Sequence, residues 1–394
     1  MEDRAAGPHL ASRMAAIAPF EVMEIQTLAR ALEAQGRDVI HLEIGEPDFA
    51  TPAPVVEAAK RALEDRPMLY TSALGIPELR EAISAFYRDR YRVEVPPARI
   101  VVTAGSSAAL LLAFGVLLDP DDEVLLADPG YPCNRHFVHA LGGRPRLVPV
   151  DSRSRYQLTP GVAGEAWTPR TRIVMVASPS NPTGTLVEPG EIAALAGLAR
   201  ERGATLLVDE IYHGLTYGRE ARTALEAGED VFVINSFSKY FQMTGWRLGW
   251  MVVPAAAVRE VEKLAQNLYI SPSAIAQHAA LAAFAPETIA ILEARRRELQ
   301  ARRDFLLPAL ESLGLRIGAR PEGAFYVYAE CSALTQDSFA FAREALSKAG
   351  VAFTPGKDFG FNAPERHLRI AYTQPVARLE EAVSRLRAFL REGT

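Results

Sequence analysis

Between residues 100 and 253, seven short apolar runs alternate with stretches of helical periodicity, and that rhythm leaves few folds open. The runs are Ile100-Val101-Val102-Thr103, 123–127, 146–150, 173–177, 205–208, 231–236 and 248–253. Strands that are apolar on both faces and joined by helices form a mainly parallel sheet covered on both sides. The connection from 236 to 248 is too short for a helical crossover, so the last run is predicted to lie antiparallel. The expected class is α/β, with a mainly parallel seven-stranded sheet between helices, and in such a sheet ligands gather at the carboxyl ends of the strands.

Length adds a second unit. A chain of 394 residues exceeds the size at which one core keeps growing. Past residue 253 the pattern changes to long helices (255–267, 275–284, 287–313), then short strands at 324–328, 351–354 and 368–372 and a closing helix at 376–392. We expect a large domain over 45–285 and a smaller α+β domain from 1–44 with 286–394. The arginines at 295–297, 302 and 303 read as a solvated face of the long helix.

Composition narrows the partners. Apolar residues make up 49% and charged residues 23%, with a formal net charge of -5, which gives no electrostatic reason to expect nucleic acid or an anionic membrane. The two cysteines, Cys133 and Cys331, have no disulfide or zinc spacing, so no metal is expected. The N-terminus lacks the order of a signal peptide, and the expectation is a soluble cytoplasmic protein.

The polar residues at the strand ends carry the chemistry. Gly105-Ser106-Ser107 follows the first strand and opens an apolar helix, a turn that suits an anion or is simply capped by serine. Tyr131, Asn181 and the pair Asp209 and Tyr212 follow later strands. Ser236-Phe237-Ser238-Lys239 follows the sixth, with Arg247 eight residues beyond the lysine. A lysine at a strand's exit either snorkels to solvent or sits in a cleft where a lowered pKa makes it a nucleophile. Gly45-Glu46-Pro47-Asp48 alone reads as a turn or as a close backbone approach to a ligand. An aldehyde cofactor with a pyridine ring and a phosphate would need an amine, a buried acid, donors to a ring oxygen, an aromatic face and an anion cradle with an arginine, and each is present.

In order and spacing these pieces, with Tyr70 and Gly75, Tyr131-Pro132, Asn181-Pro182-Thr183-Gly184, Gly245-Trp246-Arg247 and His367-Leu368-Arg369-Ile370, resemble the class I and II aminotransferases of fold type I, similar to aspartate aminotransferase. The resemblance runs through nearly the whole chain. It implies pyridoxal 5′-phosphate as cofactor, with Lys239 condensing with its aldehyde and moving the proton, and Asp209 pairing with the ring nitrogen. It further implies that Asn181 and Tyr212 bond the ring oxygen, that Tyr131 stacks on the ring, and that Gly105, Ser106, Ser107, Ser236 and Arg247 hold the phosphate. Tyr70 would reach the phosphate of a neighbouring subunit in a homodimer, and Arg369 with Gly45 and Asn181 would bind the substrate's α-carboxylate. The implied reaction moves an amino group from an L-amino acid to a 2-oxo acid, 2-oxoglutarate being the expected acceptor.

The residues leave substrate preference open. Ser107 stands where some relatives have a lysine for a distal carboxylate, and Arg135 is the remaining candidate for that role. Ile17 and Phe20 favour neutral or aromatic side chains. A carbon–sulfur lyase on the same scaffold is the alternative within the cofactor class. A transcription regulator with an aminotransferase-like domain would need a basic DNA-binding domain, and none fits before residue 45.

Overall fold

A computed structural model of the protein describes residues 8–392. The seven runs form one sheet, in the order Ile100–Thr103, Gly249–Val252, Phe232–Ser236, Thr205–Asp209, Thr171–Ala177, Glu123–Asp128, Arg144–Pro149. Gly249–Val252 is antiparallel to both neighbours, and the other pairings are parallel, as predicted. Successive side chains on a strand point to opposite faces, so each apolar run feeds two cores. Val174, Val176, Leu206 and Val208 enter the core on one face. Ile173, Met175 and Leu207 enter the other, where they meet the helices Gly105–Leu117 and Val258–Tyr269.

Beyond the sheet, Thr354–Pro355, His367–Ala371 and Tyr326–Glu330 make a three-stranded antiparallel sheet, and Ile40–His41 pairs in parallel with Val351–Ala352. The strand predicted over 324–328 starts later because Ala324 takes a left-handed conformation (φ 57°). The run predicted as strand at 351–354 is broken at Phe353 into two pairs of residues that join different sheets. The closing helix is Val376–Glu392.

One expectation is corrected. On the helix Pro286–Ser312, Arg297 is exposed, but Arg302 and Arg303 are buried, at 1% and 5% exposure. Arg302 grips both oxygens of Asp48, at 2.7 and 3.1 Å, and lies 4.9 Å over the Phe49 ring. Arg303 donates to the Pro321 carbonyl at 2.9 Å and lies over Tyr217. A buried guanidinium needs this kind of pairing, since desolvating it alone is costly. The pair also fastens the loop that starts at Gly45 to the long helix.

Candidate active site

The strand ends converge on a cavity of about 250 Å³. From the sheet side it is lined by Asp209, at the end of its strand, with Tyr212 following, and by Lys239 and Arg247 beyond the neighbouring strand. Ser106 and Ser107 line it from the first turn of the helix Gly105–Leu117, while Tyr131 and Asn181 come from the loops after two further strands. Arg369, from the small antiparallel sheet, and Gly45 close the opposite side. Three predicted residues stand elsewhere. Gly105 lies behind the wall, where its φ of +81° and the absence of a side chain admit Arg247: a Cβ there would sit 2.7 Å from Nη2. Ser236 is buried behind Ser238, which lines the cavity in its place; the Ser236 hydroxyl donates to Ser238 Oγ at 2.9 Å and to the Leu248 carbonyl at 3.2 Å. Tyr70 is 80% exposed on the surface.

Lys239 Nζ donates to the Gly45 carbonyl at 2.7 Å. Burial, with Arg369 and Arg247 nearby, pulls its pKa down to about 8 despite the opposing pull of Glu46, so a neutral fraction of the amine exists near neutrality. Burial pushes Asp209 up to about 6, against the backbone bond from Ile211 N at 3.0 Å and the charge of Lys239. Among the described residues no cation is in hydrogen-bond contact with this carboxyl, and its environment favours a cationic guest. The Tyr212 and Tyr326 hydroxyls meet at 3.1 Å, and burial raises both phenols.

Arg369 is held as a planar fork. Its Nη1 donates to Asn181 Oδ1 at 3.1 Å and its Nη2 to the Glu43 carbonyl at 2.7 Å, while Tyr326 and Phe359 face the guanidinium at 4.3 and 4.9 Å. Its buried Nε has no partner among the described residues, an unspent donor beside the cavity. Gly45 is small here for a reason: a Cβ would lie 2.8 Å from the Tyr326 hydroxyl. A desolvated amine, a buried acid without a cation and an arginine with a spare N–H thus face one space.

The sequence pattern of the family "Aminotransferase class I and II" matches residues 37–386. The chain belongs to this family. The enzyme is 40% identical over 378 residues to the valine–pyruvate aminotransferase of Mycobacterium tuberculosis, covering 95% of this chain and 97% of that one. It is 37% identical over 379 residues to the aspartate/prephenate aminotransferase of Thermus thermophilus, covering 95% and 97%. A crystal structure of an aminotransferase from Mycobacterium tuberculosis superposes with a TM-score of 0.95 at 40% identity, covering 98% of this chain and all of that one. The enzyme is therefore a fold type I aminotransferase of the aspartate aminotransferase kind, from a family that works with pyridoxal phosphate.

Reading the sequence missed part of the wall. Tyr326, Ser238, Glu43 and Asp358 all line the cavity, as do Phe20, Val22, Leu110, Ile211 and Phe359. Phe20 is where the sequence places it, whereas Ile17 is not on the wall. Arg135, the candidate for a distal carboxylate, is not on this wall: its Nη2 donates to the Asp358 carbonyl at 3.0 Å and its guanidinium lies 5.6 Å over Phe361. The loop in which this chain departs from many relatives is pinned to the large sheet. Phe361 N donates to both oxygens of Asp128 at 3.1 Å, and Gly360 passes so close that a Cβ would fall 1.6 Å from Asp128 Oδ1.

Proposed function

We propose that this aminotransferase carries an amino group from an L-amino acid with a neutral, apolar or aromatic side chain to a 2-oxo acid such as 2-oxoglutarate, by ping-pong turnover on pyridoxal 5′-phosphate. The observation that carries the reading is the desolvated Lys239 amine facing the buried, cation-free Asp209 in the cavity that Arg369 borders. These residues fit the cofactor. Lys239 would anchor its aldehyde carbon, Asp209 its ring nitrogen, Asn181 and Tyr212 its ring oxygen, and Tyr131 its ring face. Ser106, Ser107, Ser238 and Arg247 would hold its phosphate beside the helix N-terminus at Gly105, with Ser236 behind them. When bound, pyridoxal phosphate supplies an electron-poor ring that spreads the negative charge left on the substrate's α-carbon.

The chain's own residues supply the rest. Arg369 orients the substrate by its α-carboxylate, a bidentate match that fixes which bond at the α-carbon faces the lysine. Lys239, as a neutral amine, would take the substrate's α-proton and hand it to the former aldehyde carbon of the cofactor, on the far side of the transferred nitrogen. Asp209 would be held ionised by a protonated ring nitrogen, and the aromatic walls would exclude water. Preference for neutral side chains follows from the wall itself, where Phe20, Val22, Phe359 and Leu110 are apolar and Arg135 is engaged elsewhere.

We further propose a cytoplasmic homodimer. Leu69 and Tyr70 are 70% and 80% exposed, and Leu268 and Ile270 are 56% and 50% exposed nearby, where Thr71 N donates to Ser271 Oγ at 3.3 Å. A second copy of the chain is a natural cover for such an apolar patch. A spectrum of the purified protein titrated with an amino-acid panel tests the chemistry. A band near the visible edge that bleaches with leucine or phenylalanine and returns with 2-oxoglutarate supports it. Pyruvate and ammonia released from cystathionine with no oxo-acid requirement would instead make the enzyme a lyase.

A further inference from the structure

The side-chain end of the cavity is assembled from three stretches far apart in sequence: Phe20 and Val22 at the start of the helix Glu21–Ala34, Tyr131 and Pro132 at the start of the helix Pro132–Ala140, and Phe359. One residue ties all three together. The helix Glu21–Ala34 has phenylalanine at its N-cap and no side-chain cap of its own. Its first two free N–H groups donate instead to the carboxylate of Asp358, Glu21 N to Oδ1 at 2.6 Å and Val22 N to Oδ2 at 2.9 Å. The carbonyl of the same residue accepts Arg135 Nη2 from the second helix at 3.0 Å. The next residue along the chain is Phe359, which faces the Arg369 guanidinium.

We propose that Asp358 is the positioning residue that closes these three stretches into one apolar compartment and so selects amino acids with neutral apolar side chains over those with a distal carboxylate. The inference rests on the reading above that the enzyme is an aminotransferase with Arg369 at the α-carboxylate. Selection has two parts. A buried carboxylate that caps a helix holds Phe20 and Val22 against Phe359, which fixes the width of the compartment. Among the described residues the cations lining the cavity are Lys239, Arg247 and Arg369; Arg369 borders this end against Phe359 but is engaged by Asn181 and the Glu43 carbonyl, and Arg135 donates to the Asp358 carbonyl. A second carboxylate on the substrate would therefore meet aromatic walls and the charge of Asp358, beside arginines that the protein already engages.

The test compares Asp358→Ala and Asp358→Asn with the wild-type holoenzyme on leucine, alanine and aspartate. Alanine is the control because its methyl is the shortest apolar side chain. In Asp358→Ala we expect kcat/KM for leucine to fall roughly 10- to 100-fold, mainly through KM, and for alanine by no more than about threefold. The leucine-to-aspartate ratio should fall by a similar factor. Asp358→Asn keeps an acceptor for the helix N–H groups and should recover most of the leucine activity. A readout independent of turnover is tryptic cleavage after the exposed Arg13, which should quicken several-fold in Asp358→Ala and stay near wild type in Asp358→Asn. Equal losses on leucine and alanine, or an unchanged cleavage rate, would overturn the role given to Asp358. A wild-type enzyme that prefers aspartate to leucine overturns the substrate class, while the leucine-to-alanine comparison still decides Asp358.

Discussion

At the lysine end of the cavity, Asp209, Lys239, Ser106 and Asn181 arrive at the ends of four strands of one sheet, whose register is set by backbone ladders and two apolar cores. At the side-chain end, Phe20, Pro132 and Phe359 are brought together by a carboxylate and an arginine acting across 337 and 223 residues of chain. The first end is held by the part of the molecule that is hardest to deform. The second rests on a few polar contacts, so it can change without unfolding the sheet. Relatives within one family can share the lysine end and differ in substrate for this reason.

That contrast can be broken by substitution. Lys239→Ala removes the base and the anchor together, and turnover should fall roughly 10⁴-fold or more for every donor alike, as measured by single-turnover kinetics. Asp209→Asn should cost roughly 10³-fold, again without regard to side chain. Phe20→Ala strips an apolar wall at the other end: kcat/KM should drop about tenfold for leucine or phenylalanine and hardly at all for alanine, the signature of a side-chain compartment. If Phe20→Ala lowered all donors equally, the two ends would not be separable. Arg316→Ala, on the exposed surface with Glu330, lies at neither end and should leave activity unchanged and shift stability by less than about 1 kcal/mol in a denaturant titration.

Asp209 also sharpens the comparison through pH. Its folded pKa of about 6 lies above the ordinary 3.8, so the cofactor-free protein binds this proton more tightly than the unfolded chain does. Its contribution to stability is complete below pH 3.8 and is lost as pH rises through 6, about 3 kcal/mol at most. Melting of the cofactor-free protein between pH 4 and 7 should show this slope, and Asp209→Asn should remove it. A guest cation beside Asp209 should remove it too, so the cofactor-loaded protein should melt without that slope.

How far the sequence could be read follows the same division. Strand, polar end and helix repeat in order, so the lysine end could be assembled from local signals, down to the antiparallel last strand. Ser236 and Ser238 show the resolution of that reading: two serines a strand period apart compete for one wall, and backbone direction after the strand brings Ser238 forward. Arg302 was misread because a charge on a helix looks solvated until its partner, Asp48 in a loop 254 residues away, is in place. Asp358 left a faint mark in the sequence, though not at its own position. Phenylalanine before the helix at Glu21 is a poor N-cap, and a helix that lacks its own cap must borrow one.

The strand Ile100–Thr103 lies at the edge of the sheet and hydrogen-bonds to a single strand, Gly249–Val252. The turn at Gly105 is therefore braced by a segment made long after it, and Gly249 touches it directly, since a Cβ there would lie 2.9 Å from Ser106 N. On the ribosome, a nascent chain that has not yet reached residue 252 carries the two serines on a strand held by earlier segments alone, through the Leu74 carbonyl and Arg80. The sheet edge that carries this wall of the cavity is therefore completed only after the strand Gly249–Val252 has been made.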